Sequence, residues 1–448
     1  MKSFISIFVI LIISSCSFDN KTGIWNDASV MSDVGSSTRS VNDTDQVDRY
    51  EYIFSKEKLF NEEKNLYKSS NFKLAPPIRI DNWLEEYGSK TNNISNYLYS
   101  GNKTLLSKSP RLSKSSLDKN IIFYKNNLVN YDHKGKIFIY SLSVEKKIFE
   151  YDFYKGNFKK FKKEMYLAIS NDILYIADNL GYLYAVDLIN RSLIWAKNYG
   201  IPFRSNIKIT NGQLLLANQD NVIYSININN GDKNWQYATT LTFLKVIFKN
   251  NIAIDEVNKN LFFLNTSGEL YSINYLEQKI NWLINFKNAS VKTNSDLFLS
   301  HPIVFKNDNL IISTEKSILN YNSNSGVLNW SFPSDSILKP ILTNNYVYIF
   351  SKNNLLICLD NKSGEVLWSK NIYKDLKNEK IGKFNDFKMV NNKINFFSSN
   401  GYLLSFNYSN GYLEYMKKIS KKGISSVAIF VKENMILVDQ KSKLLKFN

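Results

Sequence analysis

Apolar and polar residues alternate along most of this chain, in short runs separated by polar turns. Between Gly181 and Trp195, in GYLYAVDLINRSLIW, an alternating run leads into a polar turn and then into a second run. Because successive side chains of a strand point to opposite faces, this pattern predicts two antiparallel strands with unlike faces. After about residue 72 no segment shows a sustained 3.6-residue period, so the pattern indicates an all-β protein.

The same pattern recurs along the chain, which is the signature of a repeat architecture. Aligned on the residue before the alternating strand, its copies begin at Gly135, Gly181, Asn221, Gly268, Lys316, Asn354, Gly401 and Ser442. Position +14 of every complete copy is aromatic: Phe149, Trp195, Trp235, Trp282, Trp330, Trp368 and Tyr415. Such large side chains are expected to be buried and to tie one sheet to the next. Position +6 is Asp or Asn in all copies but the first, and +10 is Gly in four copies, as turns favour.

Each copy also carries two earlier apolar runs, such as Ser205–Thr210 and Gln213–Ala217. Four strands in a repeat of about 40 to 48 residues are typical of a propeller blade. The sequence therefore predicts an eight-bladed β-propeller of four-stranded antiparallel blades over residues 72–448. The eighth copy ends before its aromatic strand. We predict that Pro77–Trp83, with Trp83 as the aromatic, pairs with Ser442–Asn448 and closes the ring.

The first 16 residues, MKSFISIFVILIISSC, read as a secretion signal. Lys2 precedes an apolar stretch of ten residues, Phe4–Ile13, which is too short to span a bilayer. Ile13–Cys16 resembles the bacterial lipobox, which implies removal of residues 1–15 and acylation of Cys16. Residues 16–71 are predicted to be the lipidated cysteine and a flexible tether, with a short helix within residues 51–70. An ordinary signal peptide with an incidental cysteine is the alternative.

Charge and candidate chemistry add little to this picture. The net charge of +17 comes from lysines spread along the chain without a long basic run, so we predict no nucleic-acid partner. Cys358 lies in an apolar run and is predicted to be a buried structural thiol. Two histidines, His133 and His301, and two cysteines offer no zinc spacing, and no Gly-x-Ser-x-Gly elbow or phosphate loop is found. We predict no catalytic residue, metal or cofactor.

The repeat unit Gly-x-Leu-Tyr-x-x-Asp, polar turn, x-Leu-x-Trp is clearest in residues 181–195 and in NLLICLDNKSGEVLW, residues 354–368. It resembles the quinoprotein-type propeller repeat. Together with the lipobox cysteine, the tether and a single ring, it resembles the BamB family of lipoproteins of the outer-membrane β-barrel assembly machinery. The resemblance implies a non-enzymatic scaffold on the periplasmic face of the outer membrane, docked on the POTRA domains of BamA. Contact with outer-membrane protein clients is a further hypothesis.

The resemblance also suggests partner-binding residues. In the family, an apolar-Arg loop and an acidic loop that follows it contact BamA. Phe203 and Arg204, just before a first strand, resemble the first loop, and Asp296 resembles the second. Here the two loops are about two blades apart, farther than the family pattern places them.

Two other interpretations remain open at this point. Quinone-dependent dehydrogenases resemble the same fold, but they add an adjacent disulfide, Ca²⁺ ligands and a catalytic Asp. Cys16 and Cys358 cannot form an adjacent disulfide, and no cluster of Glu, Asn and Asp stands out. A glycan-binding propeller, with exposed tyrosines stacking on sugars, is the second alternative.

Overall fold

The computed structural model describes residues 17–18, 25–26, 58–65, 72–154, 158, 160–242, 249–286, 298–374, 376 and 380–448. Cys16 and residues 1–15, which the sequence predicts to be a signal peptide, lie outside these ranges. The chain divides into two compact units, Met1–Lys56 and Glu57–Asn448. In the first unit, β1 (Ser17–Phe18) and β2 (Trp25–Asn26) pair antiparallel. Within the described ranges, no helix has the length and apolar character needed to cross a membrane.

The second unit is an eight-bladed β-propeller, as the repeat predicts, and each blade is a four-stranded antiparallel sheet. Blades 1 to 4 follow the chain from the inner to the outer strand. Their strands are β4 (Ile122–Tyr124), β5 (Asn127–Tyr131), β6 (Lys136–Ser141), β7 (Lys146–Asp152); β8 (Met165–Ser170), β9 (Ile173–Asp178), β10 (Tyr182–Asp187), β11 (Ser192–Asn198); β12 (Lys208–Thr210), β13 (Gln213–Ala217), β14 (Val222–Asn227), β15 (Lys233–Ala238); and β16 (Asn251–Asp255), β17 (Asn260–Leu264), β18 (Glu269–Asn274), β19 (Lys279–Asn285).

Blades 5 to 7 continue this order, and blade 8 combines the two ends of the unit. Their strands are β20 (Val304–Lys306), β21 (Asn309–Ser313), β22 (Ile318–Asn322), β23 (Leu328–Phe332); β24 (Ile341–Leu342), β25 (Tyr346–Phe350), β26 (Leu355–Asp360), β27 (Val366–Asn371); β28 (Phe384–Val390), β29 (Lys393–Ser398), β30 (Tyr402–Asn407), β31 (Leu413–Lys418); and β32 (Ile429–Val431), β33 (Asn434–Val438), β34 (Leu444–Phe447) with β3 (Leu105–Lys108).

The hydrophobic core lies between neighbouring blades. Leu183 of blade 2, for example, packs in one apolar layer with Leu214 and Leu216 of blade 3. The alternating pattern gives the middle strands of each blade two buried faces, so that β13 is buried throughout while the outer strand β15 is mostly exposed. Sheet-on-sheet packing of this kind holds the blades together around the ring.

The repeated aromatic residues lie on the outer strand of their blades, where the repeat alignment places them. In every complete copy a β-bulge follows the residue that pairs with the aromatic. The indole nitrogen of Trp195 donates to the backbone oxygen of Ile228 (3.0 Å), and that of Trp330 donates to Asn361 (2.8 Å). Each of these bonds reaches the next blade, so the aromatic ties one sheet to its neighbour.

The ring closes by pairing of its two ends, as expected, but the predicted closing segment was wrong. The fourth strand of blade 8 is β3, which pairs with β34, and not Pro77–Trp83. Thr104 N–H donates to Asn448 (2.7 Å), and Asn448 N–H donates back (2.9 Å). Trp83 is instead 1% exposed near the ring axis, where it pairs with Phe123 of the inner strand β4. Burying the large apolar indole at this position is more favourable than placing it on an exposed outer strand.

Residues 58–65 run along the outside of blades 5 and 6. Lys64 and Ser369 of β27 exchange backbone hydrogen bonds of 3.1 and 2.9 Å, and the Phe60 ring lies 5.3 Å from that of Phe332. No helix forms in residues 58–65, and the rest of the segment predicted to be helical lies outside the described residues.

Candidate partner-binding face and hub

Arg204 lies on what we call the upper face, the side of the ring on which the innermost strands begin. It belongs to the loop between β11 and β12. Its backbone is held by hydrogen bonds from Arg204 N–H to Ala217 (2.9 Å) and from Asn250 N–H to Arg204 (2.8 Å). Arg204 Nη1 lies 3.0 Å from Glu164 Oε2, and the two side chains are 14% and 26% exposed. The guanidinium therefore takes part in an ion pair, and the Arg204 side chain is mostly buried.

The other predicted partner-binding residues differ in their placement. Phe203 is fully buried, with its ring 5.6 Å from that of Tyr199 and 6.2 Å from that of Tyr224. Its side chain therefore anchors the Arg204 loop and offers no surface to a partner. Asp296 and Cys16, the predicted site of lipidation, lie outside the described residues.

A segment whose role the sequence did not predict crosses the centre of the ring. Residues 78–98, which we call the hub segment, cross the axis of the propeller. Their hydrogen bonds reach all eight blades, through Phe123, Ile169, Lys208, Ile254, Phe305, Leu342, Met389 and Lys432. The inner edges of the blades, which a closed ring leaves unpaired, thus find partners in this segment.

Asn92 shows how the hub segment binds several blades at once. Its side-chain amide donates to the backbone oxygens of Ile252 (2.8 Å, blade 4) and Ile303 (2.9 Å, blade 5). Its side-chain oxygen accepts from the Asn206 amide of blade 3 (3.2 Å). Asn92 is 1% exposed and has a φ of +57°, a conformation that asparagine tolerates better than most residues.

The hub segment lies between two cavities. The lower cavity is lined by the ends of the inner strands and by Glu85, whose Oε1 lies 3.2 Å from Nζ of the fully buried Lys208. Burial lowers the pKa of Lys208 and raises that of Glu85. The upper cavity has a volume of about 350 Å³ and opens on the face that carries Arg204.

The upper cavity is rich in lysine. Its charged lining residues in the described ranges are Lys119, Lys249, Lys339, Lys388, Glu86 and Asp386. Glu86 binds Lys249 (3.1 Å), and Asp386 binds Lys388 (2.8 Å). Burial opposes the charge of Glu86, but Lys249 and Lys119 hold the pKa of that carboxyl below its usual value. Burial, together with the nearby Lys388, lowers the pKa of Lys339 to about 7.

The described residues also include one cysteine and two histidines. Cys358 pairs with Trp368 at the bulge of blade 6 and is fully buried, and burial raises the pKa of its thiol. A thiol in this state is a poor nucleophile. His133 lies in blade 1 and His301 precedes β20 of blade 5, where burial lowers its pKa. In the described ranges, no three His, Cys, Asp or Glu side chains come together as metal ligands would.

Comparison with known proteins places the chain in a family. The sequence profile of the family described as outer membrane protein assembly factor BamB matches residues 142–370, slightly more than half of the chain. The chain belongs to the BamB family. The matched region runs from blade 1 to blade 6, and the eight-bladed ring extends the same repeat on both sides of it.

Curated BamB relatives are distant in sequence. The BamB assembly factor of Moranella endobia is 18% identical over 298 residues, which cover 61% of this chain and 71% of the relative. That of Yersinia pestis is 19% identical over 249 residues, which cover 52% of this chain and 58% of the relative. The BamB family therefore shares the repeat with this chain, while most individual positions differ.

Solved structures share the fold with this chain. The crystal structure of BamB from Moraxella catarrhalis aligns with a TM-score of 0.61 at 14% identity, covering 77% of this chain and 99% of that protein. A europium-containing methanol dehydrogenase aligns with a TM-score of 0.58 at 9% identity, covering 80% of this chain and 89% of the enzyme. At such identities these likenesses concern the fold alone.

A quinone held with a metal ion at the hub does not fit the residues present. The hub segment fills the axis with its own side chains and hydrogen bonds. The described residues of the upper cavity include two carboxylates and four lysines. This set of side chains does not suit a divalent cation. Among the described residues, the tyrosines exposed by more than a third, Tyr151, Tyr237, Tyr373 and Tyr412, lie on four different blades and do not form a shared stacking surface.

Two features of the upper face were not identified from the sequence. Glu164, the partner of Arg204, precedes β8 one blade earlier, 40 residues away along the chain. Glu164 and Arg204 both lie just before the innermost strand of a blade. The repeat alignment could therefore have indicated that they lie near each other. The lysines of the upper cavity come from different blades and share no motif, so only the folded ring brings them together.

Proposed function

We propose that this protein is a non-enzymatic assembly factor for outer-membrane β-barrel proteins. In this proposal a lipid on Cys16 holds it at the periplasmic face of the outer membrane, and the ring docks on the POTRA domains of BamA. The observation that carries the proposal is the BamB family profile over residues 142–370 within an eight-bladed ring. A rigid ring of this kind suits a scaffold, because it presents loops without needing to change shape on binding.

We further propose that the upper face binds BamA near Arg204. Arginine is enriched among the residues that dominate interface energies, because its planar fork bonds carboxylates while its stem packs against apolar groups. Glu164 holds the guanidinium in place, and 14% of the Arg204 side chain remains exposed to a partner. A carboxylate of the partner would extend this ion pair into a network of three charges.

The test compares a single charge reversal with a charge swap. Arg204→Glu places two carboxylates side by side, so we expect weaker co-purification with BamA from membranes, by about tenfold or more. The double variant Glu164→Arg, Arg204→Glu restores the internal ion pair and therefore the local fold. We expect the double variant to melt like the wild type and still to bind BamA weakly.

The swap separates binding from folding. If the double variant recovered full co-purification, the arginine at position 204 would act only through its internal ion pair. If Arg204→Glu bound BamA as well as the wild type, the docking assignment would be lost. Absence of every assembly-machinery protein from a wild-type pull-down would remove the proposed function itself.

A further inference from the structure

The upper cavity carries more positive than negative charge. Glu86 and Asp386 each bind one lysine, Lys249 and Lys388. Among the described residues, Lys339 donates to the backbone oxygen of Pro340 at 3.3 Å and pairs with no carboxylate. Lys119 at the rim likewise has no carboxylate within ion-pair distance in this part of the chain. Neither of these ammonium groups forms an ion pair with a described carboxylate, although Asp386 lies near enough to favour the charge of Lys339 and Glu86 near enough to attract Lys119.

An uncompensated ammonium group in a partly enclosed space is costly, because burial removes water that would otherwise solvate it. Lys339 belongs to the segment that leads into β24 and is only partly exposed. It lies close enough to Lys388 for that ammonium to disfavour its charge. A bound anion would reduce both the cost of burying the Lys339 charge and the repulsion from Lys388, since it supplies a counter-charge to the lysines.

The shape and the walls of the cavity indicate the rest of the ligand. Its volume of about 350 Å³ is at the lower end of the range for small-molecule sites, roughly 300–1,000 Å³. Ile94 of the hub segment, Leu338 and Val427 line it beside the lysines and are each partly exposed. The hub segment closes the floor, so a ligand enters from the upper face. Apolar walls around a cationic end favour an amphipathic anion.

We propose that the upper cavity is a binding site for a small organic acid, whose carboxylate contacts Lys339 and Lys119 and whose apolar body packs against Ile94, Leu338 and Val427. This site is separate from the Arg204 ion pair, and the proposal goes beyond the scaffold function. The proposal concerns binding alone, for which the described lining residues supply the cationic and apolar groups that such an acid needs.

The affinity for such an acid depends on pH with a definite sign. Lys339 is protonated below a pH of about 7 and loses its charge above it. Carboxylate binding is therefore expected to weaken as the pH rises from 6 to 9. Among the described residues, the charged and titratable groups around Lys339 and along the cavity are Lys388, Lys208, Asp386, Lys119, Lys249, Glu86, His301, Tyr87 and Tyr97. Lys388 and Lys208 disfavour its charge, and Asp386 favours it.

The experiment uses benzoate and benzamide, which match in shape and differ in charge, titrated into the full chain by calorimetry. We expect benzoate to bind and benzamide to bind at least about tenfold more weakly. Lys339→Gln should weaken benzoate binding by about tenfold and flatten its pH dependence between 6 and 9. Lys316→Gln, which changes an exposed lysine outside the cavity, should leave both unchanged.

The second variant, Lys119→Gln, guards against a folding defect at Lys339, because Lys119 lies exposed on the rim. It should weaken benzoate binding while the melting temperature stays that of the wild type. Equal binding of benzoate and benzamide would overturn the proposal. So would undiminished benzoate binding by both lysine variants, or no benzoate binding by the wild type. None of these results bears on co-purification with BamA, so the two proposals fail separately.

Discussion

At the scale of single residues, positions +10 and +14 of the repeat act together across the blade boundary. A Cβ on Gly364 would lie 2.7 Å from Cδ2 of Trp330 in the preceding blade. The same relation joins Gly231 to Trp195, Gly326 to Trp282 and Gly411 to Trp368. Positive φ alone does not demand glycine, because Arg191 (φ +56°) and Gln278 (φ +59°) adopt it at the same repeat position. Four of the five tryptophans at +14 therefore lie against a glycine of the next blade, and Trp235, which precedes the copy with Gln278 at +10, is the exception.

We expect Gly364→Ala to be more destabilising than a glycine substitution that strains the backbone alone. Its methyl group adds overpacking against Trp330, about 1–3 kcal/mol, to the cost of a left-handed conformation, about 1–2 kcal/mol. Gly212 is the control, because its φ is +71° and no atom lies within 4 Å of its added Cβ. Urea denaturation of both variants measures the difference. Equal losses of stability in the two variants would mean that the close contact between position 364 and the Trp330 ring contributes nothing.

The repeat positions could be predicted because each has a local cause that recurs in several copies. Asp187 illustrates this, since its side chain accepts from Ile189 N–H (2.7 Å) and Asn190 N–H (2.9 Å), as a turn-opening residue should. Arg204 could be suggested only from a family resemblance, and its pairing with Glu164 depends on blade packing. Lys339 stood out in no pattern, since its surroundings come from several separate blades.

At the scale of elements, the sequence predicted the regular strands and missed the irregular ones. Pro77–Trp83 was chosen as the closing strand because it contains a tryptophan, whereas the true closing strand, β3, reads only Leu-Leu-Ser-Lys. Its pairing with β34 is specified by the free edge of blade 8 and by little in its own sequence. The hub segment forms isolated β-bridges and no regular strand. It therefore has no alternating pattern from which its role could be predicted.

The closing element can be tested with two neighbouring residues of β34 that point to opposite faces. Phe447 is 2% exposed, and we expect Phe447→Ala to lower the free energy of unfolding by about 3–5 kcal/mol, through lost burial and a cavity. Lys446 pairs with Ser107 and is partly exposed, so Lys446→Ala should change stability by about 0.5 kcal/mol or less. Thermal unfolding of both variants checks this. A mild Phe447→Ala phenotype would show that the ends contribute little to ring stability.

At the scale of the whole molecule, the hub segment changes how the ring holds together. In most repeat architectures each unit contacts only its neighbours, so stability is close to a sum of nearest-neighbour terms. Here one segment makes hydrogen bonds to all eight blades, and blades that share no surface are tied to the same residues. The ring is therefore expected to unfold as one unit, with protection of the inner strands depending on the hub segment.

Asn92→Ala tests this coupling, because it leaves the backbone oxygens of Ile252 and Ile303 and the Asn206 amide without their partner. Buried groups left unsatisfied cost about 1–3 kcal/mol each, so we expect a loss of about 3 kcal/mol or more. Amide exchange should accelerate in β16 and β20, on two different blades, at the same time. Asn307→Ala is the control for backbone strain, since Asn307 has a φ of +42° and an exposed side chain. If Asn92→Ala were no worse than this control, or if only one blade lost protection, the hub segment would fill the axis without joining the blades.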